Sequence, residues 1–161
     1  MFNFNYLLVS LIAAITATLA ATLANSLSWP VWAMFIGWVA FYTGKHTLPG
    51  IFTTYGCLAL GIIIANFAGL AIASLAQQIG FWSITPVVFV VALVIVSLRG
   101  IPLFNNIPSY FLGMIAFIAA HMPVGISSTM PMLIVTAVGI IAAFCTAMIQ
   151  GKLIRSASDA N

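Results

Sequence analysis

The scarcity of charged residues is the feature that most constrains this chain. Four of its 161 residues are Lys or Arg and one is Asp or Glu, whereas a soluble domain carries charge on about a quarter of its residues. So few charges cannot cover a surface that faces water, and four scattered cations form no basic patch. A soluble domain, a disordered chain, a coiled coil and a nucleic-acid-binding protein are therefore excluded. Because 64% of the residues are hydrophobic, the sequence predicts a protein that lies almost entirely within a lipid bilayer.

The apolar residues form continuous stretches, which favour transmembrane helices over the alternating strands of a membrane barrel. A helix needs roughly 20 apolar residues to cross the bilayer core. We predict an all-α integral membrane protein with six transmembrane helices, of which the second and fifth are short: 6–24, 30–43, 51–76, 81–98, 108–120 and 130–153. Because proline is tolerated in a first turn, Pro30 and Pro108 mark the starts of the short helices, and Pro49 and Pro123 follow their ends.

The first stretch has an alternative interpretation as a cleaved signal peptide. No Lys or Arg precedes the stretch, and it is long for such a peptide. We therefore predict a membrane span. Cleavage would remove one helix and leave the orientation of the others unchanged.

The basic residues predict the orientation of the chain. All four fall on one side of the six-span arrangement: Lys45, Arg99, Lys152 and Arg155. The loops 25–29, 77–80 and 122–129 on the other side contain no Lys or Arg. Because basic loops stay in the cytoplasm, both termini are predicted to be cytoplasmic. Residues 1–155 then form a single transmembrane domain, and 156–161 form a short cytoplasmic tail.

An ordinary, a short and a long helix follow one another twice, in halves of about 1–78 and 79–155. The short helices carry the same residue at four positions with the same spacing in both, which are Phe35, Gly37, Ala40 and Phe41 in one and Phe111, Gly113, Ala116 and Phe117 in the other. A unit of three spans is odd, so its second copy enters from the opposite face. This pattern predicts a 3+3 inverted-topology repeat, which is found in many transporters. The alternative is that Ala, Gly, Ile and Phe recur by chance in membrane helices.

Small residues recur at every fourth position of the two long helices. Membrane helices associate by close packing, so small residues mark their contact faces. These faces could lie between the two halves or between the protomers of a homo-oligomer. The predicted packing residues are Gly61, Ala65, Gly69 and Ala73 in the third helix and Gly139, Ala143, Ala147 and Gly151 in the sixth.

No catalytic constellation is visible, and we predict that the protein is not an enzyme. Asp159 is the only acid and lies in the C-terminal tail, so a proton relay or general base within the membrane lacks its carboxylate. His46 and His121 are predicted at opposite ends of their helices, which argues against a shared metal site. Cys57 and Cys145 are expected to be small buried hydrophobic residues rather than a disulfide. No metal or other cofactor is predicted.

The short helices indicate where a solute could bind, since short or interrupted helices often line the sites of membrane transporters. The candidate solute pathway consists of Gly37, Tyr42, Lys45, His46, Asn66, Asn105, Asn106, Gly113 and His121. Each polar residue taken singly could instead be an interfacial loop position or an interhelical hydrogen-bonding group. A pathway of amide, hydroxyl and aromatic groups suits a small neutral or weakly polar solute. An anion is the alternative, because helix N-termini and Lys45 could receive one.

Residues of the short helices and their surroundings carry a family resemblance. These residues are Trp32, Phe35, Gly37, Ala40-Phe41-Tyr42, Gly50, Pro108, Phe111, Gly113, Ala116, Phe117 and Gly139. At this spacing the chain resembles domain-of-unknown-function family 1097 over roughly 7–151. The resemblance implies a bacterial inner-membrane protein with several helices, and it implies no substrate, catalytic residue or cofactor. The match is loose at Gly44-Lys45-His46, where relatives carry glycine-rich polar sequence.

Two functions of different kinds are compatible with this sequence. The first is a channel or transporter for a small solute, which the inverted repeat and the short helices favour. The second is an accessory subunit that binds a partner membrane protein through its small-residue faces. An enzyme acting on lipid ranks third, because its chemistry is missing. Short helices that meet around a hydrated cavity would favour the first function, and a dry interior would favour the second.

Overall fold

The computed structural model of the chain describes residues 4–159 and the side chains of 6–154. The helices are α1 (Phe4–Ser26), α2 (Val31–Phe41), α3 (Leu48–Ile79), α4 (Ile84–Ser97), α5 (Ile107–Ala119) and α6 (Ile126–Asp159). Short 3-10 turns cover Gly80–Ser83, Leu98–Gly100 and Pro102–Phe104. Residues 4–159 contain no strand, so the predicted all-α class is confirmed.

Four helical stretches within the described residues are long and apolar enough to cross a membrane: Tyr6–Ser26, Leu48–Gly100, Pro102–Ala119 and Ile126–Ile154. The stretch Leu48–Gly100 contains α3 and α4, and α2 is a shorter apolar helix of 11 residues. These lengths and compositions are those of a multi-pass membrane protein in contact with lipid.

Several helix boundaries differ from the predicted ones. The predicted third helix began at 51, but α3 begins at Leu48 and has Pro49 in its first turn, where the Thr47 hydroxyl accepts a hydrogen bond from the Gly50 N–H at 3.3 Å. The predicted fourth helix began at 81, but a 3-10 turn starting at Gly80, with φ of +57°, delays α4 to Ile84. α6 begins four residues early and includes Pro131. It continues through Asp159, within the predicted tail, and Ala160 and Asn161 lie outside the described residues.

Backbone contact at glycine holds α2 against α6. A Cβ atom added to Gly37 would overlap the carbonyl oxygen of Thr136, and one added to Gly139 would overlap the carbonyl oxygen of Met34. The two helix backbones therefore touch, as small residues permit in membrane helices.

α5 packs against α3 in the same way. A Cβ atom on Gly113 would overlap the carbonyl oxygen of Leu58, and one on Gly61 would overlap that of Tyr110. At both crossings each glycine meets the carbonyl three residues before the partner glycine. The two helix pairs thus have the same contact register.

The outer helices α1 and α4 attach by different means. The Thr16 and Thr146 hydroxyl oxygens are 2.5 Å apart, and the Gln150 side chain donates to the Val9 carbonyl at 2.8 Å, which ties α1 to α6. α4 instead contributes apolar side chains such as Ile95, which is fully buried. Side chains of α3 and α4 line one apolar groove, so the two helices lie side by side.

Candidate functional site

A cleft of about 580 Å³ lies where α2 ends and where α3 and α5 begin. It is lined by Thr43, Gly44, Lys45, Thr47, Pro49, Gly50, Thr53, Thr54, Pro102, Asn105, Asn106 and Pro108. The lining includes hydroxyl and amide groups and one ammonium group. We refer to it below as the polar cleft.

Two glycines shape the turn that forms one wall of the polar cleft. A Cβ atom on Gly44 would overlap the Thr54 hydroxyl oxygen, and one on Gly50 would overlap the Lys45 carbonyl oxygen. The chain after α2 can therefore press against the first turns of α3 only because these positions lack side chains.

Four polar residues form a hydrogen-bonded cluster at the floor of the polar cleft. Thr43, Thr54 and Asn106 line the cleft, and of these Thr43 is exposed and the other two are buried. Ser109 is fully buried behind them. The Asn106 side-chain amide donates to the hydroxyl oxygens of Thr43 and Thr54, both at 3.0 Å. The hydroxyl oxygens of Thr43 and Ser109 are also 3.0 Å apart. This floor cluster joins the end of α2 to the beginnings of α3 and α5.

Almost every hydrogen-bonding group of the floor cluster has a partner. The Thr43 hydroxyl donates to the Ala40 carbonyl at 2.7 Å, and the Asn106 carbonyl oxygen accepts from the Ser109 N–H at 3.4 Å. Thr54 is different, because its oxygen accepts from Asn106 but its hydroxyl donates no hydrogen bond to another described residue. Thr54 is 1% exposed and lines the polar cleft.

The electrostatic character of the polar cleft is positive. Among the described residues that line it, only Lys45 has a charged side chain. Thr47 caps the N-terminus of α3 and Asn106 caps that of α5, so the positive ends of two helix dipoles lie beside the cleft. The negative end of α2 is also nearby, but its Val39 and Ala40 carbonyls already accept from Tyr42 and Thr43.

The structure separates the predicted pathway residues into four places. Lys45, Asn105 and Asn106 line the polar cleft. Gly37 and Gly113 lie at the helix crossings, where they allow backbone contact. The remaining four are found beside α2 or at the other end of the molecule.

Tyr42 and His46 surround Phe41 at the end of α2. The His46 ring stacks on Phe41 with centroids 4.6 Å apart, and the Tyr42 ring meets Phe41 edge-on at 5.1 Å. Both residues are exposed. They form an aromatic edge next to the polar cleft.

Asn66 and His121 lie near the turn between α5 and α6. The Asn66 side-chain oxygen accepts from the Gly125 N–H at 2.7 Å, which holds this turn against α3. His121 has a φ of +50° and places its Nδ1 atom 2.9 Å from the Ala119 carbonyl. Among the described residues no group of three His, Cys, Asp or Glu side chains could hold a metal ion.

The predicted packing residues occupy varied environments. Gly61, Ala65, Gly139 and Ala143 are buried, and a Cβ atom on Gly69 would overlap the Val124 side chain. Ala147 is half-buried, Ala73 is exposed, and Gly151 faces open space. The C-terminal part of each long helix is thus less tightly packed than its middle.

Both cysteines are free, and only one is buried as predicted. Cys57 lies in the contact between α3, α4 and α5 with Ile95 and Tyr110. The prediction that Cys145 is buried is wrong, because this residue lies on an outward-facing side of α6.

Sequence analysis did not select Thr54, Thr43 or Ser109 as pathway residues. Serine and threonine in apolar helices commonly bond to their own backbone, and Thr136 and Thr146 do so here. The available signal was the Thr53-Thr54 pair just after the start of a long apolar helix. That signal does not distinguish a floor residue from an ordinary helix residue.

Comparison with known proteins gives one match. The family model described as protein of unknown function (DUF1097) matches residues 9–157, nearly the whole chain. No curated protein and no solved structure matches the chain. The resemblance noted from the short helices is therefore confirmed, and this membrane protein belongs to the DUF1097 family.

Proposed function

We propose that the protein carries small polar solutes across the bacterial inner membrane and binds them in the polar cleft. The observation that carries this proposal is the meeting of the α2 end with the starts of α3 and α5 around a polar space of about 580 Å³. Sites of this size commonly hold small organic molecules. An apolar contact at the same place would have favoured a purely structural role.

A carrier fits the interior better than an open channel does. Beyond the floor cluster the helices cross through backbone contacts at glycine. The side chains beside these contacts, Met34, Leu58, Tyr110 and Thr136, are fully buried. A solute in the polar cleft therefore meets packed protein, and its passage requires a change of conformation.

We also propose six membrane crossings arranged as a 3+3 inverted repeat. The five buried residues of α2 correspond to those of α5 at a shift of 76 residues, as from Gly37 to Gly113. The six buried residues of α3 have buried counterparts in α6 at a shift of 78, as from Gly61 to Gly139. The shared contact register of the glycines supports the same correspondence. Chance recurrence of small residues gives no reason for such agreement in burial.

The repeat suggests how the carrier alternates between its two faces. The positions equivalent to Thr43, Thr54, Asn106 and Ser109 are Ala119, Met132, Pro30 and Ala33. These equivalent positions would form a second cleft, which we call the second mouth. Ala33 and Met132 are fully buried in the main core, so the second mouth is closed by apolar packing. Exchange of conformation between inverted halves is a common transport mechanism, and here it would close the polar cleft and open the second mouth.

The accessory-subunit function is the second candidate. Ile64, Phe67, Val87 and Val91 help to line the apolar groove of about 450 Å³ between α3 and α4. A helix of a partner or of another copy in a homo-oligomer could fill such a groove. Purification in mild detergent distinguishes this function, because an accessory subunit should retain a stoichiometric partner protein.

Flux into liposomes tests the transport proposal. We expect purified, folded protein to admit at least one of glycerol, urea, acetate and phosphate faster than protein-free liposomes do. Liposomes containing heat-unfolded protein provide a control for leakage. Equal rates for all four solutes in both preparations would contradict transport, and recovery of a stoichiometric partner would then favour the accessory function.

A reporter fused to the C-terminus tests the proposed orientation. Lys45 lines the same cleft as Pro102, so the segment that follows Arg99 lies at the Lys45 end of the molecule. The positive-inside rule places this end in the cytoplasm. We expect a fluorescent protein fused there to fluoresce and a fused alkaline phosphatase to be inactive. The opposite pair of results would contradict six spans with cytoplasmic termini.

A further inference from the structure

We propose that the polar cleft recognises an oxyanion group, such as a carboxylate or phosphate, on a small organic molecule. This inference rests on the proposed solute site and names the class of solute. The sequence favoured a neutral or weakly polar solute and left an anion as the alternative. The contacts within the polar cleft favour the anion.

The first argument is the charge balance of the polar cleft. Lys45 is exposed within the lining, and none of the described side chains of residues 6–154 is acidic. The Lys45 ammonium group therefore has no carboxylate partner within this part of the chain. A bound oxyanion would supply the missing charge, whereas a cation would be repelled.

The second argument is the unpaired hydrogen at the floor. Thr54 is 1% exposed, its hydroxyl oxygen accepts from Asn106 at 3.0 Å, and this hydroxyl donates no hydrogen bond to another described residue. A buried donor without an acceptor is costly. A ligand that brings an acceptor oxygen to this hydroxyl removes that cost, and a ligand that brings only donors does not.

The third argument is that the oxygens of Thr43 and Asn106 at the floor already have partners. The Thr43 hydroxyl oxygen accepts from the Asn106 amide at 3.0 Å and lies 3.0 Å from the Ser109 hydroxyl. The Asn106 carbonyl oxygen accepts from the Ser109 N–H. The Thr43 and Asn106 side-chain oxygens are therefore occupied, while the Thr54 hydroxyl hydrogen and the Lys45 ammonium group are unused donors. Thr53 and Asn105 also line the cleft and offer both donors and acceptors. The positive ends of α3 and α5 act in the same direction.

The space and the walls allow the ligand to have an organic body. A volume of about 580 Å³ far exceeds that of a bare oxyanion. Pro49, Pro102 and Pro108 contribute apolar walls without donors of their own. An organic acid can place its oxygens near Lys45 and Thr54 and its carbon chain along these prolines.

Binding of acetate and of its neutral isostere acetamide tests the inference. The full chain is placed in nanodiscs of zwitterionic phosphatidylcholine, and each probe is titrated by saturation-transfer NMR. We expect acetate to bind at least tenfold more tightly than acetamide, since charge-assisted hydrogen bonds are the stronger ones. Equal or tighter binding of acetamide would overturn the oxyanion assignment.

Variants locate the site within the polar cleft. Lys45→Gln and Thr54→Val should each weaken acetate binding by roughly tenfold, while Thr54→Ser, which keeps the hydroxyl, should retain it. Arg99→Gln removes a cation that lies outside the cleft lining and should leave binding unchanged. Each variant is first shown to elute as the native protein does. Equal effects of Lys45→Gln and Arg99→Gln would contradict the site.

Two further comparisons distinguish a soluble anion from a lipid headgroup, and a failure of the oxyanion site from a failure of the transport proposal. Short-chain phosphatidylglycerol is titrated beside acetate and inorganic phosphate. Competition by either soluble anion supports a solute, and Lys45-dependent binding of phosphatidylglycerol alone supports the oxyanion site with a lipid headgroup as its source. Acetate binding without flux of any solute would support the site and contradict transport. Flux of glycerol or urea without acetate binding would support transport and contradict the oxyanion site.

Discussion

Substitution of Gly61 by Ala is expected to destabilise the folded protein by about 1–3 kcal/mol, the usual cost of forcing extra atoms into a packed core. The added Cβ atom would overlap the carbonyl oxygen of Tyr110. This oxygen belongs to the backbone of α5 and cannot rotate away as a side chain can. The two helices must therefore separate and lose contacts along their whole crossing.

Gly56→Ala provides a matched control within the same helix. A Cβ atom on Gly56 meets nothing within 4 Å, so the substitution adds helix propensity without a clash. Alanine is favoured over glycine in a helix interior by up to about 1 kcal/mol. We therefore expect the two Gly-to-Ala changes in α3 to have opposite signs.

The same contrast is expected in α6. Gly139→Ala would overlap the Met34 carbonyl, whereas Gly151 faces open space. Because the two crossings share one contact register, Gly139→Ala and Gly61→Ala should have similar costs. Unfolding in detergent, followed by far-ultraviolet circular dichroism, measures these differences. A stabilising Gly61→Ala, or a Gly56→Ala as harmful as Gly61→Ala, would contradict the backbone contact.

The helices could be predicted from the sequence because their lengths depend on local composition. Apolar length located every long helix, while the ends shifted by a few residues where caps decided them. At Thr47 a hydroxyl cap starts α3 before Pro49, and at Gly80 a positive φ ends it. Cap geometry depends on one or two bonds, which hydrophobic periodicity does not detect.

The polar cleft could be predicted only in part. Lys45, Asn105 and Asn106 were selected because they flank the short helices, and they line the cleft. Thr54 is 52 residues from its partner Asn106, and the contact exists only because α5 crosses α3 at glycine. Asn66 looked like a pathway residue because an amide in lipid is costly. In the structure the Gly125 N–H, 59 residues away, donates a hydrogen bond to the Asn66 side-chain oxygen and lowers the cost of burying this amide.

Replacement of Asn106 by Leu is the second change expected to have a large effect. Leucine cannot donate to Thr43 and Thr54 or cap the first turn of α5 through the Ser109 N–H. Each buried group left without a partner costs about 1–3 kcal/mol, so we expect a total loss of roughly 3 kcal/mol or more of unfolding free energy. Asn105→Leu is the matched control for stability, since the Asn105 side chain is exposed and lies outside the floor cluster.

Asn106→Asp separates the structural role of this residue from its place in the polar cleft. Aspartate keeps the oxygen that accepts from the Ser109 N–H, but it loses the amide that donates to Thr43 and Thr54. It also places a negative charge at the floor, where an ionised carboxylate would repel an oxyanion. We expect Asn106→Asp to lose acetate binding under conditions in which it remains folded. Asn106→Leu should lose acetate binding only to the extent that it unfolds, and it should unfold more readily than Asn105→Leu. Detergent unfolding and acetate titration on the same preparations measure both quantities. Undiminished acetate binding by folded Asn106→Asp would contradict an anion at this floor, because the added charge would then lie where the ligand does not.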